Sequence, residues 1–217
     1  MTIYPEMARC PLFCGLSPEE TNYALSYFKS REKSYQKGEF LHHVSFPLPS
    51  FGLVLRGTVQ VYMDDIDGHH MIMNHVGPGE LFGEAYSFLG IDAPIYICAV
   101  TDVRILWLSP ARIRTPLFPL QPLDQELSNR FIAALAARTL KMNQRIQILS
   151  KSTLRRKLIA FLSQYAKAKG EPFDLPFDRA SMADFLGTNR SALSRELSNM
   201  QKEGILTFHR NQFCILD

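Results

Sequence analysis

Glycine punctuates the first half of this chain and is then missing from a long central run. It stands at positions 38, 52, 57, 68, 77, 79, 83 and 90, whereas residues 126–149 contain neither glycine nor proline. Between these glycines, residues 37–108 carry short runs that read as strands. TVQVYM (58–63) and MIMNHV (71–76) alternate in character with a period near two, as half-buried strands do. DDIDGHH (64–70) between them reads as a hairpin turn. A calcium loop would need a glutamate where His75 stands, so the aspartates belong to the turn. Many short strands with frequent turns imply an antiparallel barrel or roll. A helix is expected just before it, over LSPEETNYALSYF, with Ser17 as cap, Pro18 at the first helical position and Glu20 closing a capping box.

The uninterrupted run that follows has a different period. After TPLFPLQPLDQ (115–125), the residues Ile132, Leu135, Thr139, Met142, Ile146 and Leu149 recur at spacings of three and four. A helix over 126–149 would be about 36 Å long at roughly 1.5 Å per residue. That is too long to hide its seam against a small roll, and a second copy of the same helix is the economical partner. The alternative is that the stripe packs within one chain. SKSTLRRKLIAFLSQYAKAKGE (150–171) is another amphipathic helix, with Leu154, Leu158, Phe161 and Leu162 on one side. The expected organisation is therefore a roll domain over 1–125, a dimerisation helix and hinge over 126–150, and a third segment over 151–217.

The 217 residues, 46% hydrophobic and 21% charged, suit a globular protein of about two domains. No stretch reads as a signal sequence or membrane span, so the expectation is a cytoplasmic protein with no membrane partner. Cys10, Cys14, Cys98 and Cys214 form no CxxC pair, which points to reduced thiols and no metal site. Charge divides unevenly. Residues 1–125 hold 9 Lys and Arg against 13 Asp and Glu, while residues 126–217 hold 15 against 8. The C-terminal part is the one suited to a polyanion.

Within DRASMADFLGTNRSALSRELSNMQKEGILTFHRNQFCIL, Asp178 can cap a short helix that Gly187 stops, and Asn189 can start the next. On that second helix Leu193, Leu197 and Met200 share one face. Ser191, Arg195, Ser198 and Lys202 lie opposite, with Thr188 before the first turn. ILTF and FCIL can pair as a hairpin around HRNQ, forming a wing. A helix with an unpacked face bearing hydrogen-bond donors and cations suits the major groove of double-stranded DNA. Arg195 can fork to a guanine, and Arg190 can reach a base or the backbone from the first turn. Ser191, Ser194, Thr188 and Asn189 can meet phosphates or bases, and His209 and Arg210 can hold the flanking backbone.

MADFLGTNRSALSRELSNM resembles the winged helix-turn-helix of the Crp-Fnr family of bacterial transcription regulators. The order of parts, a glycine-rich roll with GPGELFGE (77–84), a long helix and a winged C-terminal domain, is similar over nearly the whole chain. The resemblance implies an α+β fold: an N-terminal antiparallel β-roll of the cupin-like, cyclic-nucleotide-binding type, a long dimerisation helix and a C-terminal winged helix-turn-helix. It also implies a homodimer on a palindromic operator, a small-molecule effector in the roll, and RNA polymerase as a further partner if the protein activates. Where relatives often carry Glu after the first recognition arginine, this chain has Ser191, so its target sequence can differ.

Family members that bind a cyclic nucleotide use a Gly-Glu turn and an Arg-Ser pair about ten residues on. Gly83 and Glu84 match the first, but Ala93 and Pro94 stand in place of the second, and no Lys or Arg occurs from Gly57 to Val103. A buried phosphate without a cation is costly, so cyclic AMP is disfavoured unless Arg130 or Arg138 reaches in. Phe82, Tyr86, Phe88 and Tyr96 suit a small organic effector instead. Haem is another option, because His42, His43, His69, His70 and His75 lie in the roll, although no spacing selects a ligand pair. The iron-sulfur pattern of some relatives is missing. Two further readings stay open: a metal-dependent cupin enzyme, for which no HxH motif is present, and a protein-interaction module built on a helix-turn-helix.

Overall fold

The computed structural model describes residues 3–64, 70–170, 172–175 and 178–216. The chain divides into two units, Met1–Ala136 and Ala137–Asp217, and the division falls inside its longest helix.

In the first unit a 3-10 turn, Pro5–Arg9, leads to helix α1, Pro18–Tyr27. Its start is the expected capping box: the Ser17 hydroxyl accepts from the Glu20 amide at 3.2 Å, and the Glu20 carboxylate accepts from the Ser17 amide at 2.8 Å. Strands β1 (Arg31–Tyr35), β2 (Phe40–His42), β3 (Phe51–Arg56), β4 (Val59–Asp64), β5 (His70–Val76) and β6 (Leu81–Phe82) follow. Next come helix α2 (Glu84–Leu89), strands β7 (Tyr96–Ala99) and β8 (Val103–Leu108), and helix α3 (Ala111–Arg114). The strands form two antiparallel sheets, ordered β1-β8-β3-β6 and β2-β7-β4-β5. The hairpin expected around residue 67 pairs Val59 with Val76 and Asp64 with His70, and the turn joining them lies outside the described residues.

The two sheets enclose the roll's interior. Val54, Phe82, Val103 and Ile105 of one meet Val59, Val61, Val76, Ile97 and Ala99 of the other. Alternation along β3 sends Phe51, Leu53 and Leu55 the opposite way, onto α1 and the start of the long helix. That sheet is thus covered on both faces, which explains why FGLVLR is an almost unbroken apolar run.

Helix α4, Pro122–Leu149, is 28 residues long. It begins four residues earlier than the helix expected over 126–149. Proline is tolerated in a first helical turn, and the buried Asp124 carboxylate accepts from the Gln121 amide at 3.2 Å and from the Tyr23 hydroxyl at 2.7 Å. Leu127 and Phe131 are buried in the first unit's core.

The second unit holds the remainder of α4, helix α5 (Leu154–Lys169), strand β9 (Phe173–Asp174), helices α6 (Arg179–Leu186) and α7 (Arg190–Lys202), and strands β10 (Leu206–His209) and β11 (Gln212–Ile215). The three strands form an antiparallel sheet ordered β10-β11-β9. One core gathers Ile148 of α4, Leu158, Phe161 and Leu162 of α5, Met182 and Leu186 of α6, and Leu193, Leu197 and Met200 of α7.

Candidate functional site

The helix-turn-helix is set by local chemistry. The Asp178 carboxylate accepts from the Ser181 amide at 2.7 Å, capping α6, and that bond holds its carboxyl below the usual range. Gly187 takes a left-handed φ of 63°. The amides of Gly187 and Thr188 then donate back to the carbonyls of Asp184 and Ala183 at 3.2 and 3.0 Å, a helix stop that residues with a Cβ adopt only with strain. Asn189 caps α7 through Oδ1, which accepts from the Ala192 amide at 2.8 Å and from the Ser191 hydroxyl at 2.7 Å. With Oδ1 so engaged, the Asn189 amide group is left to donate.

Leu193, Leu197 and Met200 are buried, and Arg190, Ser191, Arg195, Ser198 and Lys202 are exposed, with Thr188 and Ser194 half-buried. The Ser198 hydroxyl donates to the Ser194 carbonyl at 2.9 Å. Among the described residues the Arg195 guanidinium engages no acceptor. Two acids of this region, Glu196 and Glu203, are held by α5. Arg155 on α5 forks onto Glu203 at 2.7 and 2.8 Å and reaches Glu196 at 2.6 Å. These contacts hold the Glu203 carboxyl below its ordinary range and push the guanidinium further up. Sequence reading missed Arg155, since 41 and 48 residues separate it from its partners. The wing hairpin pairs His209 with Gln212, leaving Arg210 and Asn211 as a two-residue loop with His209 and Arg210 exposed.

Along α4 the predicted stripe splits. Ile132, Met142 and Ile146 are 56%, 52% and 61% exposed, and Thr139 is exposed too, as is Leu140, which the spacing did not single out. Leu135 instead leans on the first unit's core. Leu149 is half-buried in the second unit, beside Gly187.

In the roll, Phe82, Gly83, Glu84 and Tyr86 lie together at the junction of β6 and α2, where Phe82 and Glu84 are buried. Phe82 is wholly buried, its ring lying over Gly52 where any Cβ would collide with it and meeting Trp107 edge-on at 5.4 Å. Leu48 closes over Gly83. Ala93, which stands where the resemblance places a phosphate-binding arginine, buries its methyl in the same core. Phe88 packs elsewhere, against Phe131 at 5.5 Å.

Two expected site residues of the first unit, Tyr96 and Arg130, are engaged elsewhere. Tyr96 is on the opposite face of its sheet, because Ile97 and Ala99 take the interior positions of β7. Its ring stacks on Tyr62 at 5.0 Å, near Phe40 and His43. Arg130 donates to the Cys14 carbonyl at 2.6 Å and pairs with Glu126, so its guanidinium is already engaged. Arg138 lies on α4 in the second unit, half-buried.

Of the histidines, His42 is buried, with Nε2 at 3.4 Å from the Ala93 carbonyl, and burial pulls its pKa down. His43 stacks on Phe40 at 4.4 Å, and His75 is exposed on β5. His69 and the side chain of His70 lie outside the described residues. Among the described residues no three His, Cys, Asp or Glu side chains converge as metal ligands, and no helix is long and apolar enough to cross a membrane. All four cysteines are free, and burial pushes Cys10 up to about 12.

A two-sheet roll, a long helix and a winged helix-turn-helix with an open cationic face define a DNA-binding transcription regulator rather than an enzyme. Known proteins agree. Residues 156–217 match the Crp-like helix-turn-helix domain, and residues 32–115 match the cyclic nucleotide-binding domain. The chain belongs to the Crp-Fnr family. It is 28% identical over 201 residues to the cyclic AMP receptor protein of Thermus thermophilus, covering 92% of this chain and 89% of that protein. It is 25% identical over 195 residues to electron transport regulator A of Shewanella oneidensis, covering 86% of this chain and 75% of that one. The c-di-GMP responsive global regulator CLP of Xanthomonas campestris shares the fold, with a TM-score of 0.62 at 17% identity over 93% of this chain and 100% of its own.

Proposed function

We propose that the protein acts as a homodimer on an operator of two inverted half-sites, each read by one α7 in the major groove and flanked by one wing. The observation that carries this reading is the exposed face of Arg190, Ser191, Arg195, Ser198 and Lys202 above a fully packed apolar face. Two recognition helices must stand about 34 Å apart to enter successive major grooves, and one chain supplies one. The exposed Ile132, Met142 and Ile146 on α4 support a second copy as the source of the other.

The roll answers to something other than a cyclic nucleotide. Its interior residues bring no cation, Ala93 is buried, and Arg130 is engaged with Glu126 and Cys14. An effector that favours one of two arrangements of the dimer would shift DNA affinity by its differential binding to them.

Selection of bound duplexes from random-sequence DNA, using purified protein without added ligand, tests the reading. The expected product is a palindrome bound by two chains, with no calorimetric heat from cyclic AMP. A single half-site bound by one chain would refute the dimer, and saturable micromolar cyclic AMP binding would refute the effector assignment.

A further inference from the structure

The wing of this domain is small: two four-residue strands and a two-residue loop, Arg210-Asn211, at the tip. Arg210 has a φ of 53° and Asn211 is not left-handed. A two-residue hairpin loop with a left-handed first residue ordinarily calls for glycine there. A branched or long side chain in that conformation costs on the order of 1 kcal/mol, so something must hold the tip.

Two neighbours do. The Asn211 carbonyl accepts from the Leu175 amide at 2.9 Å. The Arg210 carbonyl accepts from Arg179 Nη2 at 2.8 Å. Arg179 is the first residue of α6, and its guanidinium carbon lies 5.1 Å from the ring centre of Phe208 and 5.1 Å from that of Phe213. Those two rings are cross-strand partners on β10 and β11, stacked at 5.6 Å. One side chain therefore grips both wing strands by their aromatic faces and the loop by its strained carbonyl, and ties all three to the first helix of the helix-turn-helix. Asp178, the residue before it, caps the same helix end, so the anchor point is itself fixed.

We propose that Arg179 is a positioning residue for DNA binding, which holds the wing tip so that Arg210 meets the phosphate backbone while α7 occupies the groove. Arg179 acts through the wing: Nη2 is held by the Arg210 carbonyl and the guanidinium lies against Phe208 and Phe213, while Nη1 is buried with no acceptor among the described residues. This rests on the reading that the wing flanks the operator, and the experiment separates the two. Affinity for the duplex selected by the wild-type protein is measured against salt concentration for wild type, Arg210→Asn, Arg179→Lys and the double variant. Asparagine tolerates the left-handed backbone and removes the charge. Lysine keeps the net charge and removes the planar fork and its stacking.

Arg210→Asn is expected to lower the slope of log affinity against log salt by about one phosphate contact, with a loss on the order of tenfold. Arg179→Lys is expected to do the same, and the double variant to be no worse than either single one. Wild-type affinity and slope in Arg179→Lys, with both reduced in Arg210→Asn, would overturn the role of Arg179 and leave the wing reading intact. Additive losses would overturn it too, because they place Arg179 on a separate contact. No change in Arg210→Asn would remove the wing reading and this proposal together. Should Arg179→Lys unfold the domain, Arg179→Met, which keeps an apolar stem on the two rings, replaces it; unfolding of both overturns the proposal in favour of a purely architectural arginine.

Discussion

The face of α7 and the interior of the roll are opposite solutions to the same problem of what to do with a concave or groove-fitting surface. On α7 every large apolar side chain is withdrawn into the core, and Glu196 and Glu203 are both drawn onto Arg155. In the roll, the residues that resemble a ligand site are occupied by the protein's own side chains, with Phe82 over Gly52 and Leu48 over Gly83. One surface is left exposed, and in the other the protein's own side chains lie against two glycines. Similarity of fold to a nucleotide-binding domain therefore says little about the ligand: the ligand is decided by a few side chains.

The contrast breaks first at Phe82. If its ring is core, Phe82→Ala costs about 3–5 kcal/mol of stability, measured by denaturant unfolding of the intact chain; a loss under about 1 kcal/mol would mean that the interior is not tightly filled. The next test is on the open surface. Arg195→Ala should weaken binding to the selected operator by about 1–3 kcal/mol, roughly fivefold to more than a hundredfold, with an unchanged unfolding midpoint. Loss of stability instead of affinity would show that Arg195 belongs to the fold.

The smallest effect is expected at the scaffold beneath that surface. Asp178→Ala should cost about 1 kcal/mol through the lost cap. Asp178 and Glu203 both have lowered pKa values, so their stabilisation is full above the ordinary carboxylate range and is lost as pH falls through the lowered values. Acid unfolding of the second unit should therefore begin below about pH 4, and Asp178→Ala should flatten that limb of the curve.

Much of this was legible from residues alone, and the reasons differ by region. The α6–turn–α7 segment is written in caps and a glycine whose hydrogen bonds span three to five residues, so Asp178, Gly187 and Asn189 declare it locally. The capping box of α1 was readable for the same reason. The side of β7 that faces inward was not. Ile95, Ile97 and Ala99 in one parity and Tyr96 and Cys98 in the other are both apolar, so alternation alone leaves the choice to the opposing sheet. The Arg155 fork and the Arg179 grip depend on chain segments brought together only by the tertiary fold, and no spacing marks them. On α4, periodicity found a stripe but could not say which of its members one chain would cover, and Leu135 proved to be covered where Ile132 is not.

Gly52 and Phe82 cannot vary independently. Any side chain on residue 52 would have to displace the aromatic ring beside it, and shrinking residue 82 alone would leave a hollow of about a phenyl group's volume bounded by Trp107. Two residues distant in the chain but paired across two strands thus set how solid this part of the roll is, and a chain of the same architecture could gain or lose a binding chamber by changing just that pair.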